Sequence, residues 1–206
     1  MKYLILGSSG FIGSAIITEL LGRNSEMICP DRNEIDLSDH KAYEKISSLI
    51  DKETRVIFCA GIKRQVSDNF DTFLKNENIT SNLCRAIAES PPCHLLYLSS
   101  AAVYGEDDAL EDVIDENSRF RPSSYYSISK INAEYIISKV ALDLGIPTCF
   151  ARPPLIYGAG DLTLGYGPTG FCQKAVKGES IVLWGDGEEL REFIWIEDLA
   201  RICVGL

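Results

Sequence analysis

Short apolar runs alternate with amphipathic stretches from the first residue onward. Residues 2–6 (KYLIL) have strand length, and residues 11–21 repeat apolar positions at the spacing of a helix. Residues 26–29 form a second short strand, and 39–50 a helix that Ser38 is placed to cap. The run 55–60 (RVIFCA) reads as a buried strand and 67–89 as a long helix. A strand at 93–99 (CHLLYLS), a helix at 124–144 and a strand at 147–151 complete the regular pattern. This alternation predicts a doubly wound α/β fold, a parallel sheet with helices on both faces. Past residue 157 the pattern loosens into glycine-rich loops. A short helix near 171–176, a strand at 181–183 and a final helix from 197 are expected there. The chain stops inside the apolar run RICVGL with no polar tail, and on that ground a truncated chain is expected.

Composition narrows the choice of partner more than the choice of fold. With 206 residues, 46% of them hydrophobic, the chain fills one core and part of a second domain. No apolar run has the length of a bilayer span, and MKYLILGSSG lacks the long apolar core and cleavage site of a signal peptide. The expected location is the cytoplasm. A net charge of −10 disfavours nucleic acid and anionic membrane as partners. A small anion can still bind where a few arginines meet it. The seven cysteines form no C-x-x-C pair, so reduced and mostly buried thiols are expected, with no metal site. The acidic stretch 106–115 reads as a solvated loop.

The first chemical signal is Gly7-Ser8-Ser9-Gly10-Phe11-Ile12-Gly13, between the first strand and the first helix. So tight a turn needs glycine, and a phosphate approaches the backbone only where side chains are absent. The following helix offers its N–H groups and the positive end of its dipole to a pyrophosphate. In this position the string predicts a dinucleotide site over residues 1–160, with 161–206 opening a smaller substrate region. Asp31 stands eighteen residues past Gly13, where an acid can bond the ribose hydroxyls of NAD and repel the 2′-phosphate of NADP. Its neighbour Arg32 works the other way, since a guanidinium there welcomes that phosphate. Asp31 as a mere turn residue is the bland alternative.

Tyr126 and Lys130 are four apart on an expected helix and share one face. A nearby ammonium lowers a phenol from its usual pKa of about 10 and suits it to general acid–base work. A second pair, Tyr135 and Lys139, has the same spacing deeper in the helix and reads as surface. Ser99-Ser100-Ala101-Ala102-Val103-Tyr104-Gly105 lies at the carboxyl end of a strand, the edge where open α/β sheets bind ligands.

Together GSSGFIG, Asp36-Leu37, SSAAVYG, YSISK, RPPLIYG and GDGEELREFIWIEDLA resemble the extended short-chain dehydrogenase/reductase family, in its NAD-dependent epimerase/dehydratase group. The resemblance runs through essentially the whole chain, and it implies a Rossmann fold. It makes Tyr126 the acid/base, Lys130 the residue that orders the nicotinamide ribose, and Ser100 the partner of the reacting oxygen. It places Asp36 and Leu37 at adenine, with Ala60 also at the cofactor. Asn78 matches a family asparagine at the substrate, and Arg191 an arginine that holds its diphosphate. Helix-surface or salt-bridge roles are the bland alternatives for these two. Leu155 stands where many members have Asn. Ala101 and Ala102 replace the Asp-Glu of the 4,6-dehydratases, and Ala102 also replaces the Cys of the GDP-fucose synthases, whose His is missing as well. The implied function is NAD-dependent 4-epimerisation of a nucleoside-diphosphate sugar by a homodimer joined through helices that include 124–144. A keto-sugar reductase using NADP, or a dinucleotide sensor without turnover, are the alternatives.

Overall fold

The computed structural model describes residues 1–105, 113–161, 167–183 and 190–206. Most of the acidic loop and the first part of GDGEELREF lie outside these residues. The chain runs β1 (Lys2–Leu6), α1 (Phe11–Gly22), β2 (Glu26–Ile28), α2 (Ala42–Ser48), β3 (Thr54–Phe58), α3 (Phe70–Glu89) and β4 (His94–Leu98). A 3-10 turn (Ala101–Tyr104) follows, then α4 (Tyr125–Leu144), β5 (Thr148–Ala151), β6 (Leu155–Tyr157), α5 (Gly167–Lys177), β7 (Phe193–Trp195) and α6 (Ile196–Gly205). Strands β1 to β5 form one parallel sheet in the order β2-β1-β3-β4-β5. The chain winds outward from β1 to β2, then returns past β1 to β3. The crevice at the carboxyl ends of β1 and β3 is therefore the switch point of the sheet, where open α/β folds take their ligands.

Both faces of this sheet are covered, and its strands alternate sides residue by residue. Leu4, Leu6, Val56, Phe58, Leu95 and Tyr97 meet α2, α3 and α4 through Ile46, Ile79, Leu83, Ala133 and Ile137. Tyr3, Ile5, Ile57, Leu96 and Leu98 meet α1 and α6 through Ile16, Leu20, Leu199, Ala200 and Cys203. Each fully buried aliphatic side chain adds about 1.5–3 kcal/mol. Two-sided burial also explains why these strands read as continuous apolar runs. The last helix, from the segment expected to open a substrate region, thus belongs to the core of the first. Among the described residues no helix is long and apolar enough to cross a membrane.

Several local expectations are corrected. Residues 181–183 form no strand, and α5 is longer than expected, spanning Gly167–Lys177. Ser38 does not cap α2, whose N-cap is Lys41; its hydroxyl donates to Asp36 Oδ1 (2.7 Å) instead. The thiols are free but not mostly buried: Cys84 and Cys203 are, Cys93 and Cys172 are exposed, and the other three lie between. Strands β6 and β7 pair in parallel as a second small sheet, with Leu155 opposite Phe193. Leu155 is thus an apolar strand residue in a position where the family often has a polar one.

Candidate active site

The glycine loop closes the switch point by contacts that admit no side chain. A Cβ on Gly13 would stand 2.2 Å from the Gly7 carbonyl oxygen, and one on Gly7, at φ +95°, 2.7 Å from the Ala60 nitrogen. The loop is thereby pressed against the end of β3 and against the first turn of α1. Ser8 ties it to the segment just past β2 by donating from its hydroxyl to the Pro30 carbonyl (2.7 Å). Helix α1 starts at Phe11 with no side-chain cap and no acid in its first turn, so its N–H groups and dipole are available to an anion. Ile12 packs into the core beneath, and Phe11 lies against Gly160 from the later part of the chain. At the carboxyl edge of β4, the Ser99 hydroxyl is buried and has no hydrogen-bond partner. A bare helix start, a loop without room for side chains and an orphaned hydroxyl fit a bound dinucleotide.

The ribose end is less simple. Asp31 Oδ1 accepts from the backbone N–H groups of Asn33 (2.7 Å) and Glu34 (3.0 Å), closing a turn just past β2. The turn role and a ribose contact by the remaining oxygen are compatible. Arg32 is 81% exposed and lies 3.6 Å from Asp36 Oδ2. Ser38 donates to Asp36 from both its backbone and its hydroxyl, and these bonds hold the Asp36 carboxyl below the usual range. Leu37 and Ala60 are partly buried against the same core cluster.

Helix α4 builds the reacting end. Ser124 and Ser127 form a reciprocal capping box, and Asp68 accepts from the Tyr126 backbone N–H (2.9 Å), so an acid sits at the helix N-terminus where its charge is favoured. The first turn is fixed, and with it Tyr126. One turn on, Lys130 is only 6% exposed. Its ammonium donates to the Leu98 carbonyl (2.6 Å) and the Tyr97 hydroxyl (3.4 Å), and stands 5.8 Å from the centre of the Tyr126 ring. Burial lowers Lys130 to about 8, a fall opposed by Cys59 and Glu134. It therefore stays charged near neutrality. Tyr97 is pushed well above the ordinary phenol range by burial, which leaves it a neutral partner of the ammonium. Ser100, two residues past β4, is the N-cap of the 3-10 turn, its hydroxyl accepting from the Ala102 N–H (3.2 Å). Backbone bonds on either side, Ser99 N–H to the Ala151 carbonyl (2.8 Å) and Ala101 N–H to the Pro153 carbonyl (3.0 Å), fasten Ser100 to the exit of β5.

The competing pair has a different environment. Tyr135 is 63% exposed, and Lys139 pairs with Asp143 on the outer face of the helix. Asn78 is not brought to the site; it is exposed on α3. The buried asparagine is Asn76, two residues earlier and so on another face of the helix. Asn76 accepts from the Ile62 N–H (2.8 Å) and donates to the Ile62 carbonyl (3.1 Å) and Ser129 (3.4 Å), joining the segment after β3 to α4. Both asparagines occupy a polar stretch of one helix, and only the phase of the apolar positions Ile79 and Leu83 marks Asn76 as inward. Arg191 is exposed, two residues ahead of β7.

A buried bridge that the sequence did not reveal links these parts. Arg152, just past β5, binds both carboxylate oxygens of Glu134 on α4 (2.6–3.2 Å) and donates to the Tyr104 hydroxyl (2.6 Å) in the 3-10 turn. Glu134 lies one turn beyond Lys130 on the same helix face.

Comparison with known proteins extends over the same residues. The profile of the NAD dependent epimerase/dehydratase family matches residues 3–206. A putative UDP-glucose 4-epimerase of Methanocaldococcus jannaschii is 27% identical, over 96% of this chain and 70% of that protein. A dTDP-4-dehydro-6-deoxy-D-allose reductase of a Streptomyces species is 25% identical, over 98% and 71%. The crystal structure of the Thermus thermophilus UDP-glucose 4-epimerase in complex with NAD superposes with a TM-score of 0.79 at 25% identity, over 98% of this chain and 72% of that one.

Proposed function

Because the chain belongs to the NAD-dependent epimerase/dehydratase family, we propose that it is a nucleotide-sugar 4-epimerase in which Tyr126 exchanges the proton of the 4-hydroxyl. The observation that carries this reading is the buried Lys130 ammonium beside the Tyr126 ring, with alanine at 101 and 102. NAD, when bound there, would supply reversible two-electron exchange with the sugar carbon. Lys130 stabilises the phenolate form of Tyr126 by its charge and offers the nicotinamide ribose a donor. Ser100 donates to the reacting oxygen and keeps it next to Tyr126. Gly7, Gly10, Gly13 and the backbone of Phe11 and Ile12 receive the pyrophosphate, Asp31 the ribose, and Asp36, Leu37 and Ala60 the adenine side. Arg191 is assigned to the diphosphate of the sugar nucleotide, a local cation in a protein of net charge −10.

The two alanines favour inversion at the oxidised carbon itself. Eliminating water needs a further acid and base, each of which contributes about 10²–10⁴-fold when positioned, and a methyl group supplies neither. The same reading makes the protein a homodimer through the outer faces of α3 and α4, which leave Phe70, Leu74, Tyr125 and Ile128 exposed. Incubation with UDP- and GDP-hexoses at catalytic NAD tests it. Interconversion of the 4-epimers with no net accumulation of NADH is expected, whereas a 4-keto-6-deoxy product refutes the assignment.

A keto-sugar reductase is the second reading, and the ribose edge favours it. The Arg32 side chain is 81% exposed beside Asp31, where a guanidinium can meet a 2′-phosphate. The first reading expects NAD to bind more tightly than NADP, and Asp31→Ala to weaken NAD more than NADP. Tenfold tighter binding of NADP by the unmodified protein, measured by titration calorimetry, transfers the assignment to the reductase.

A further inference from the structure

Strand β2 is the edge of the main sheet, so the segment that follows it has no strand beyond it to lean on. Turns shape residues 31–39, Ile35 N–H to the Asp31 carbonyl (2.9 Å) and Asp39 N–H to the Asp36 carbonyl (2.9 Å). The first half is fixed by Ile35, buried in the core, and by Lys45 of α2, which donates to the Glu34 carbonyl (2.8 Å). Asn82 on α3 ties the second half, which carries Asp36 and Leu37, to the body. It is 2% exposed, and its side-chain amide donates to the carbonyls of both Leu37 (3.0 Å) and Asp39 (2.6 Å). One turn further along the same helix, Arg85 reaches the His40 carbonyl (3.4 Å) and stacks on Tyr43, with its guanidinium 3.5 Å from the ring centre. Asn82 uses both hydrogens of one –NH2 group on one loop. Aspartate has the same shape and no donor there, and its carboxylate would face two carbonyl oxygens. Serine keeps one donor of the two.

We propose that Asn82 is a positioning residue that holds the Asp36-Leu37 loop in the shape that receives adenosine, and so sets the preference for a whole dinucleotide over its nicotinamide half. The proposal rests on the reading that Asp36 and Leu37 face the adenine. Asn82 itself, buried behind the loop, does not touch the cofactor. A loop released from its anchor must be ordered at the moment of binding, and that cost falls on any ligand carrying adenosine.

The test titrates the full chain with NAD, ADP and nicotinamide mononucleotide, for the unmodified protein, Asn82→Asp and Asn82→Ser. Asn82→Asp is expected to weaken NAD and ADP at least about tenfold and to leave the mononucleotide within about twofold. Asn82→Ser is expected to fall between, and it carries the test if the aspartate variant does not fold. Equal weakening of all three ligands would mark Asn82 as a general structural residue, and unchanged ADP binding would remove the role altogether; either result overturns the proposal. Failure of the underlying reading looks different, because the unmodified protein would then bind ADP no better than the mononucleotide.

Discussion

Tyr126→Phe is expected to lower turnover on a nucleotide sugar by about 10²–10⁴-fold, the range of a lost general acid–base group, while NAD affinity stays within about twofold. The phenyl ring keeps its place because the first turn of α4 is fixed by the Ser124–Ser127 box and by Asp68, none of which involves the phenol. Lys130 keeps its bonds to Leu98 and Tyr97 as well. Only the oxygen that exchanges the proton is gone. Tyr135→Phe is the control at the same spacing, and it should be almost silent, since that ring lies on the outer face of the helix. Steady-state kinetics and cofactor titration on both variants check this. Comparable losses in the two would show that the burial of Lys130 does not select the site.

The second large effect is on stability. Glu134→Ala leaves the Arg152 guanidinium facing Tyr104 and the ring of Phe120 (4.9 Å) without its carboxylate. Losing one partner of a buried ion pair costs about 3–5 kcal/mol. The side chain of Arg152 keeps 19% exposure against 6% for Glu134, so water relieves part of the charge and the low end of that range applies. A fall of about 3 kcal/mol corresponds to a drop in Tm of roughly 6–12 °C for a chain of this size. Glu134→Leu combined with Arg152→Met removes both charges and should restore most of the loss. Urea unfolding of the single and double variants reads this directly. A single-variant loss below about 1 kcal/mol, the value of an exposed pair, would contradict it.

What was legible in the sequence was what short-range pattern encodes. The five strands of the main sheet, the glycine loop and the long helices follow from apolar period and from the position of glycine between a strand and a helix. The pairing of β6 with β7 joins segments far apart in the chain, and three-residue strands carry too little pattern to announce themselves. The expected strand at 181–183 failed for the opposite reason, since IVL is apolar but no neighbouring strand among the described residues pairs with it. The Ser38 cap failed because successive turns, Asp39 N–H to the Asp36 carbonyl and Ala42 N–H to the Asp39 carbonyl, carry the chain past Ser38 before the helix begins at Ala42.

At the candidate site, the placement of Ser100 past a strand end and of Tyr126 and Lys130 one turn apart on a helix was readable because spacing and position survive in one dimension. Asn76 against Asn78 was not settled that way, because the two differ only in helical phase. Asn82 and the Arg152–Glu134–Tyr104 bridge were invisible, since each joins elements through a side chain whose partners lie tens of residues away. The buried amide of Asn82 had one available signal, a polar residue one position before Leu83 on the apolar side of α3. It reads as an ordinary polar interruption until the loop is seen against it.

In the proposed reaction the hydrogen on the reacting carbon leaves and returns without meeting solvent, while Tyr126 handles only the hydroxyl proton. Running the interconversion of nucleotide sugars in D2O, then returning the product to H2O and weighing it by mass spectrometry, separates the two hydrogens. A product sugar with no deuterium on carbon is expected after many turnovers. One deuteron retained on carbon would mean that a C–H proton had been exchanged beside a ketone, and hydride return at a single carbon would no longer stand.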